Sequence, residues 1–149
     1  MIYLGIIVGI FVLDFFIKRY VDEKYERKVK YPKLGGFVYI EKYYNNGAML
    51  NFLEKRPGLL KMVQTAFMVL VCVWFYFSVR RNTGAAVGKL GTSFLVGGGL
   101  SNLFDRYKKG HVVDYIGFGI GPKWFRRIVF NVSDFFVFIG GVLAVVGHR

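Results

Sequence analysis

The sequence predicts an α-helical membrane fold, four transmembrane helices with a small β-rich extramembrane subdomain between the first and second. Three observations carry this. Of the 149 residues, 54% are hydrophobic and 19% aromatic, and the mean hydropathy is +0.40; such values are ordinary for a membrane protein and unusual for a soluble domain. The apolar residues gather into four runs. The stretch between the first two runs is mixed in character and carries the alternation and turn residues of short strands. The length fits a single domain, 1–149.

The first run, "IYLGIIVGIFVLDFFI", covers residues 2–17. It lacks a basic start and a small-residue cleavage site, so it is not expected to be a cleavable signal peptide. Residues 18–61 follow as a surface loop, in which "GGFVYIEKYY" alternates as a strand does. Gly35-Gly36 and "NNG" at 45–47 supply turns, so a hairpin or small sheet on the membrane surface is expected. The second run, 62–79, has no charge. The third, 90–104, is short and glycine-rich, with Gly97-Gly98-Gly99 at its centre, Gly91 near its start and Gly84 and Gly88 before it; close helix packing is the expected use of these glycines. "VVDYIGFGIGPKWF" then suggests another strand and an interfacial stretch anchored by Trp124. The fourth run covers 128–147. A span needs about 20 residues; runs two and four meet this directly, one and three with their flanks.

The net charge of +12 does not point to nucleic acid, because the positive residues flank apolar runs and form no reading motif; contact with lipid headgroups is expected instead. Cys72 is the only cysteine, which excludes a disulfide framework and a CxxC metal site, and it is expected to be an apolar filler. His111 and His148 are far apart, so zinc is poorly served; no metal and no cofactor are expected, and His111 reads as a loop residue. Ser93, Ser101 and Ser133 have no evident His–Asp partners.

The nine acidic residues divide into two groups. Asp22, Glu23, Glu26, Glu41 and Glu54 belong to the first loop. Asp14, Asp105, Asp114 and Asp134 stand in or beside apolar runs, where an ionisable group is a functional hypothesis by default. Asp14 and Lys18, one helical turn apart, are placed to neutralise each other. Asp105 is expected to pair locally with Arg106 or Lys108 at a helix end. Asp134 is not expected to cap the fourth helix, since apolar residues precede it for two turns; Asn131 and Asp134 are read as sharing one helix face, as are Asn102 and Arg106. Two carboxylates in one low-dielectric site hold a proton between them and suit general acid–base hydrolysis.

In order along the chain, "LDFFIK", "NNGAML", "GGGLSNLFDR", "GHVVDY" and "FNVSD" resemble the motifs of the lipoprotein signal peptidase (signal peptidase II) family, over nearly the whole chain. The resemblance implies Asp114 and Asp134 as the catalytic pair. It implies substrate-binding or supporting roles for Asp14, Lys18, Asn45, Gly47, Asn102, Arg106 and Asn131, with Asn45 and Arg106 positioning polar parts of peptide or lipid. It implies an aspartic endopeptidase without metal or cofactor that cuts a diacylglyceryl-modified prolipoprotein before its lipidated cysteine, with the first loop clamping the substrate by strand addition. The expected partners are this substrate and membrane lipids, not nucleic acid, and the expected state is a monomer. The chain departs from the family pattern at Met49 and Leu50, at Ser101 (Gly in the pattern) and at Ser133 (Ala in the pattern), which points to a divergent pocket or a paralogue. A proton-coupled transporter subunit, the alternative from another class, expects internal repeats that are not evident; a catalytically silent relative expects a damaged pair.

The resemblance implies a multi-pass protein of the bacterial inner membrane, both ends in the cytoplasm and the site outside. That orientation leaves only Arg80, Arg81, Lys89 and Arg149 of the 21 Lys and Arg residues inside, the reverse of the positive-inside rule.

Overall fold

The structure, a computed structural model, describes residues 1–48, 53–80 and 85–147. The described residues form four helices and one four-stranded sheet: α1 (Ile2–Lys24), β1 (Lys30–Lys33), β2 (Val38–Asn45), α2 (Pro57–Arg80), α3 (Ala86–Lys108), β3 (Val112–Phe118), β4 (Val129–Phe130) and α4 (Val132–Gly147). Met49, Leu50, Gly84, His148 and the terminal Arg149 lie outside the described residues.

Three helices outrun the apolar runs that announced them. α1 continues to Lys24 because its buried stripe does: Ile7, Ile10, Asp14, Lys18 and Val21 fall at helical spacing on one inward face. Its outward residues Leu4, Val8, Val12 and Phe16 are exposed and apolar, so the usual soluble pattern is reversed. α4 is shorter than expected. Val129 and Phe130 are taken by β4, so the helix begins only at Val132. α2 is the one described helix long and apolar enough to cross a membrane on those criteria alone; α1 and α3 carry charges, and α4 has 16 residues.

α3 is the centre of the bundle and packs against α1, α2 and α4. Its contact with α4 is close because both helices present glycine. A Cβ at Gly91 would lie 2.3 Å from Ala144 N, one at Gly98 2.6 Å from Ser133 O, and one at Gly140 2.7 Å from Gly91 O. The start of α3 meets the end of α4, where Ala85 N–H donates to Gly147 O at 3.1 Å. The glycines therefore serve packing, as their spacing implied. Ile7, Val71, Leu95, Val96 and Ala144 form the core between the helices.

The sheet differs from expectation in one respect. It is antiparallel in the order β1-β2-β3-β4, so half of it comes from the segment between α3 and α4 rather than from the first loop. A lone two-stranded hairpin is marginal in water, and β3 supplies the third strand that makes it stable. β1 and β2 join through a short 3-10 turn in which Gly35 and Gly36 take positive φ. Tyr43 of β2 stands opposite Asp114 of β3, and a bulge between Ile40 and Tyr43 resets the register. Opposite Gly117 lies Tyr39, whose ring occupies the space of a Cβ there and whose hydroxyl donates to Arg126 O at 2.8 Å. Val21 of α1 packs with Val113 and Tyr115 of β3, which seats the sheet on the end of the bundle where α1 finishes and α4 begins. Trp124 is 61% exposed there.

Candidate active site

Asp114 and Asp134 reach the same place by different routes. Asp114 sits mid-strand in β3, 1% exposed. Asp134 is in the first turn of α4 and is half-buried. Asn131, completely buried, joins them. Its Nδ2 donates to Asp114 Oδ1 at 2.7 Å, and its backbone N–H donates to Asp134 Oδ2 at 2.9 Å. Its Oδ1 accepts from Asp134 N–H at 2.9 Å. The last two bonds form a reciprocal capping box, with Asn131 as N-cap and Asp134 three residues on. Asp134 thus does take part in starting α4, contrary to the sequence expectation, and Asn131 precedes the helix instead of sharing a face with Asp134. The residues before it are strand, so the apolar run that seemed to extend the helix belongs to the sheet.

The remaining oxygens of the pair are also held. Asn45 Nδ2 donates to Asp114 Oδ2 at 2.9 Å, and Asn102 Nδ2 donates to Asp134 Oδ1 at 2.9 Å. Asn102 Oδ1 accepts from Asn131 Nδ2 at 3.1 Å and from Lys18 Nζ at 2.8 Å, an arrangement that fixes which end of the amide is which. Burial, and then repulsion from Asp134, pushes the Asp114 carboxyl well above the ordinary carboxylate range, while the bonds from Asn45 and Asn131 pull it back.

Asp14 and Lys18 form the predicted ion pair, 2.7 Å long and fully buried, but with more partners than sequence spacing suggested. Asp14 also accepts from Ser101, Ser133 and Tyr115. Lys18 also lies 3.2 Å from Asp105 Oδ2. Asp105 is buried and pairs with Lys18 and Lys109, not with Arg106 or Lys108, because its side of α3 faces α1.

Arg106 lies against the turn that carries Asn45. Only 5% exposed, it donates from Nη1 to Asn45 O at 3.1 Å and from Nη2 to Gly47 O. Gly47 N–H in turn donates to Asn45 Oδ1 at 3.0 Å. The arginine pins the turn that carries Asn45, and Asn45 spends its amide on Asp114. Both residues are thus bound to the frame of the site, Arg106 through the Asn45–Gly47 turn and Asn45 through Asp114. His111 stacks on Tyr44, ring centroids 4.1 Å apart, with burial lowering its pKa.

Every named site residue thus lies at one end of the bundle. Sequence reasoning did not single out Tyr115, and it named Ser101 and Ser133 only as departures from the family pattern and as serines without His–Asp partners. The available signals were a hydroxyl beside Asp114, Asn102 and Asp134 in turn, each inside a segment otherwise too apolar to need one. A shallow groove of about 540 Å³ between α2 and α3, lined by Met68, Val69, Cys72, Val73, Leu100 and Leu103 among others, has no carboxylate, histidine, lysine or arginine in its lining. Among the described residues no three His, Cys, Asp or Glu side chains cluster as metal ligands do.

Comparison with known proteins gives concordant results. The family model described as signal peptidase (SPase) II matches residues 6–148. The lipoprotein signal peptidase of Neisseria gonorrhoeae is 32% identical over 137 residues, 92% of this chain and 82% of that protein. That of Halothermothrix orenii is 30% identical over 146 residues, 98% of this chain and 93% of its own length. A bacterial membrane enzyme solved by the in meso method at 1.9 Å resolution superposes with a TM-score of 0.80 at 23% identity, covering 97% of this chain and 90% of that one, a likeness of fold.

Proposed function

Because the chain belongs to the signal peptidase II family, we propose that it removes the signal peptide from diacylglyceryl-modified prolipoproteins, cutting before the lipidated cysteine with Asp114 and Asp134 as the catalytic pair. The observation that carries the assignment is Asn131, one buried residue bonded to both carboxyl groups. Asp114 enters the reaction protonated and Asp134 ionised. Asp134, the more exposed of the two, takes a proton from water while the water oxygen attacks the scissile carbonyl, and Asp114 protonates the carbonyl oxygen. Asp134 then returns its proton to the departing nitrogen as the C–N bond breaks, and Asp114 recovers its own from the collapsing diol. Four amide donors, from Asn45, Asn102 and Asn131, hold the carboxyl groups in place, so little reorganisation accompanies the proton transfers.

The chain acts as a single integral-membrane peptidase domain, a monomer with all four helices spanning. Lys18 of α1 pairs with Asp105 of α3, while Leu4, Val8, Val12 and Phe16 of α1 turn to lipid; α4 spans with the strand residues that precede it. The site lies at the extracytoplasmic surface of the bacterial inner membrane, with Trp124 at headgroup depth and the basic loops against anionic lipid. A lipid-anchored peptide delivers its scissile bond to that same edge.

The test is Asp114→Asn and Asp134→Asn, each purified in detergent and assayed with a lipidated prolipoprotein. Both should lose cleavage while unfolding at temperatures near that of the wild type. Near-wild-type cleavage by either variant removes that residue from the mechanism.

A further inference from the structure

We infer that Ser101 and Ser133 are positioning residues for cleavage, acting on the carboxylate pair through Asp14; the inference rests on the proposed roles of Asp114 and Asp134. The two serine hydroxyls come from different helices and donate to the same atom, Asp14 Oδ2, at 2.7 and 2.6 Å. That oxygen also lies 2.7 Å from Lys18 Nζ, and Asp14 Oδ1 accepts from Tyr115 Oη at 3.0 Å. Asp14 is 0% exposed. A carboxylate so buried is costly unless its acceptor sites are filled, and these four donors fill them. Asp14 of α1 is thereby clamped to α3 and α4.

From this anchor two lines of contact lead to Asp134. In the first, Lys18 Nζ donates to Asn102 Oδ1 at 2.8 Å, and Asn102 Nδ2 donates to Asp134 Oδ1 at 2.9 Å. In the second, the Tyr115 hydroxyl that donates to Asp14 also accepts from Val132 N–H at 3.1 Å, at the opening residue of the helix that carries Asp134. Ser101 enters the first line directly as well, accepting from Lys18 Nζ at 3.2 Å. Each serine is also the chain neighbour of a residue it steadies, Ser101 of Asn102 and Ser133 of Asp134.

Deleting either hydroxyl leaves Asp14 Oδ2 short of one donor. The carboxylate then draws Lys18 more closely, at the expense of the bond to Asn102, and the amide facing Asp134 loosens. Asp14, Ser101 and Ser133 are buried, so the effect belongs in kcat and not in KM.

The experiment measures kcat and KM for Ser101→Ala, Ser133→Ala and the double variant, in the wild-type and Asp14→Asn backgrounds, with a lipidated prolipoprotein and thermal unfolding recorded alongside. Each alanine should lower kcat about 10-fold, the low end for a hydrogen bond to a charged acceptor, with KM within about twofold. The loss should vanish once Asp14 is Asn, and Ser101→Thr, which keeps the hydroxyl, should retain activity. Wild-type kcat in both alanine variants overturns the inference, as do losses of equal size with and without the Asp14 carboxylate. If Asp14→Asn turns over too slowly to measure, retention by Ser101→Thr set against loss in Ser101→Ala decides for the inference, and equal loss in both decides against it. Absence of cleavage by the wild-type enzyme would instead overturn the peptidase reading, and this one with it.

Discussion

Asn131 has two jobs that substitution can separate. As N-cap of α4 it accepts from Asp134 N–H, and as an amide donor it reaches Asp114 and Asn102. Asn131→Ser keeps a good N-cap and removes the Nδ2 donors. Asp114 Oδ1 is then left in a buried site without the bond from Asn131, which costs about 1–3 kcal/mol of folding stability. Asn131→Ala gives up the cap too, a further cost of about 1 kcal/mol. Thermal unfolding in detergent should therefore rank wild type above Ser and Ser above Ala. Turnover should fall by about 100-fold or more in both, since a misplaced acid forfeits most of the 10²–10⁴ that general acid–base catalysis supplies. A second sign is available. The bond from Asn131 lowers the Asp114 pKa, so its loss raises that pKa further and moves the alkaline limb of the pH profile upward. Wild-type turnover in Asn131→Ser would refute the orienting role of the amide, and equal stability of the Ser and Ala variants would refute the cap.

The wild-type pH profile should be bell-shaped, its alkaline limb set by ionisation of Asp114 and displaced to high pH by burial and by Asp134; chelators should leave cleavage unchanged, and inhibition reversed by added metal would sink the two-aspartate mechanism. The raised Asp114 pKa means that its contribution to stability is present at low pH and lost as pH rises above the ordinary carboxyl range, so Asp114→Asn should gain stability relative to wild type across that rise, as thermal unfolding at several pH values will reveal. Asp14→Asn should lower activity or stability without eliminating turnover, since Asp14 reaches the pair only through other residues; complete loss in a stable protein would promote it to the mechanism itself. Gly91→Ala should destabilise by several kcal/mol, because its Cβ meets α4 backbone that cannot withdraw, whereas Gly5→Ala, with open space around it, should be silent in the same unfolding assay.

The helices were legible because apolar runs of this length leave few alternatives, and the hairpin because Gly35-Gly36 interrupts an alternating stretch. The pairing of β3 with β2 was not, since Asp114 and Tyr43 are far apart in sequence and no local property of either names the other. The same long-range blindness hid the start of α4. "IVF" is as apolar as the helix that follows it, and only the presence of β3 beside it makes Val129 and Phe130 strand. Asp14, Asp114 and Asp134 stood out by the cost of placing them where they are. Ser101, Ser133 and Tyr115 did not, because a lone hydroxyl costs little and its purpose emerges only when a carboxylate from another helix is brought against it.

The capping box that begins α4 has a consequence for how the protein comes into being. On the proposed assignment the base is part of the first turn of the fourth helix, the acid waits on a strand between the third and fourth, and the Asp14 anchor of the base is in the first. No pair of neighbouring elements contains a working fraction of the site. While the chain is being threaded into the membrane, Asp114 has neither Asn131 to orient it nor Asp134 to share its proton, and activity begins only when the fourth helix starts at its proper residue and closes on the first. Silence during synthesis is therefore written into the order of assembly, and a chain interrupted before α4 is inert, never a partial protease.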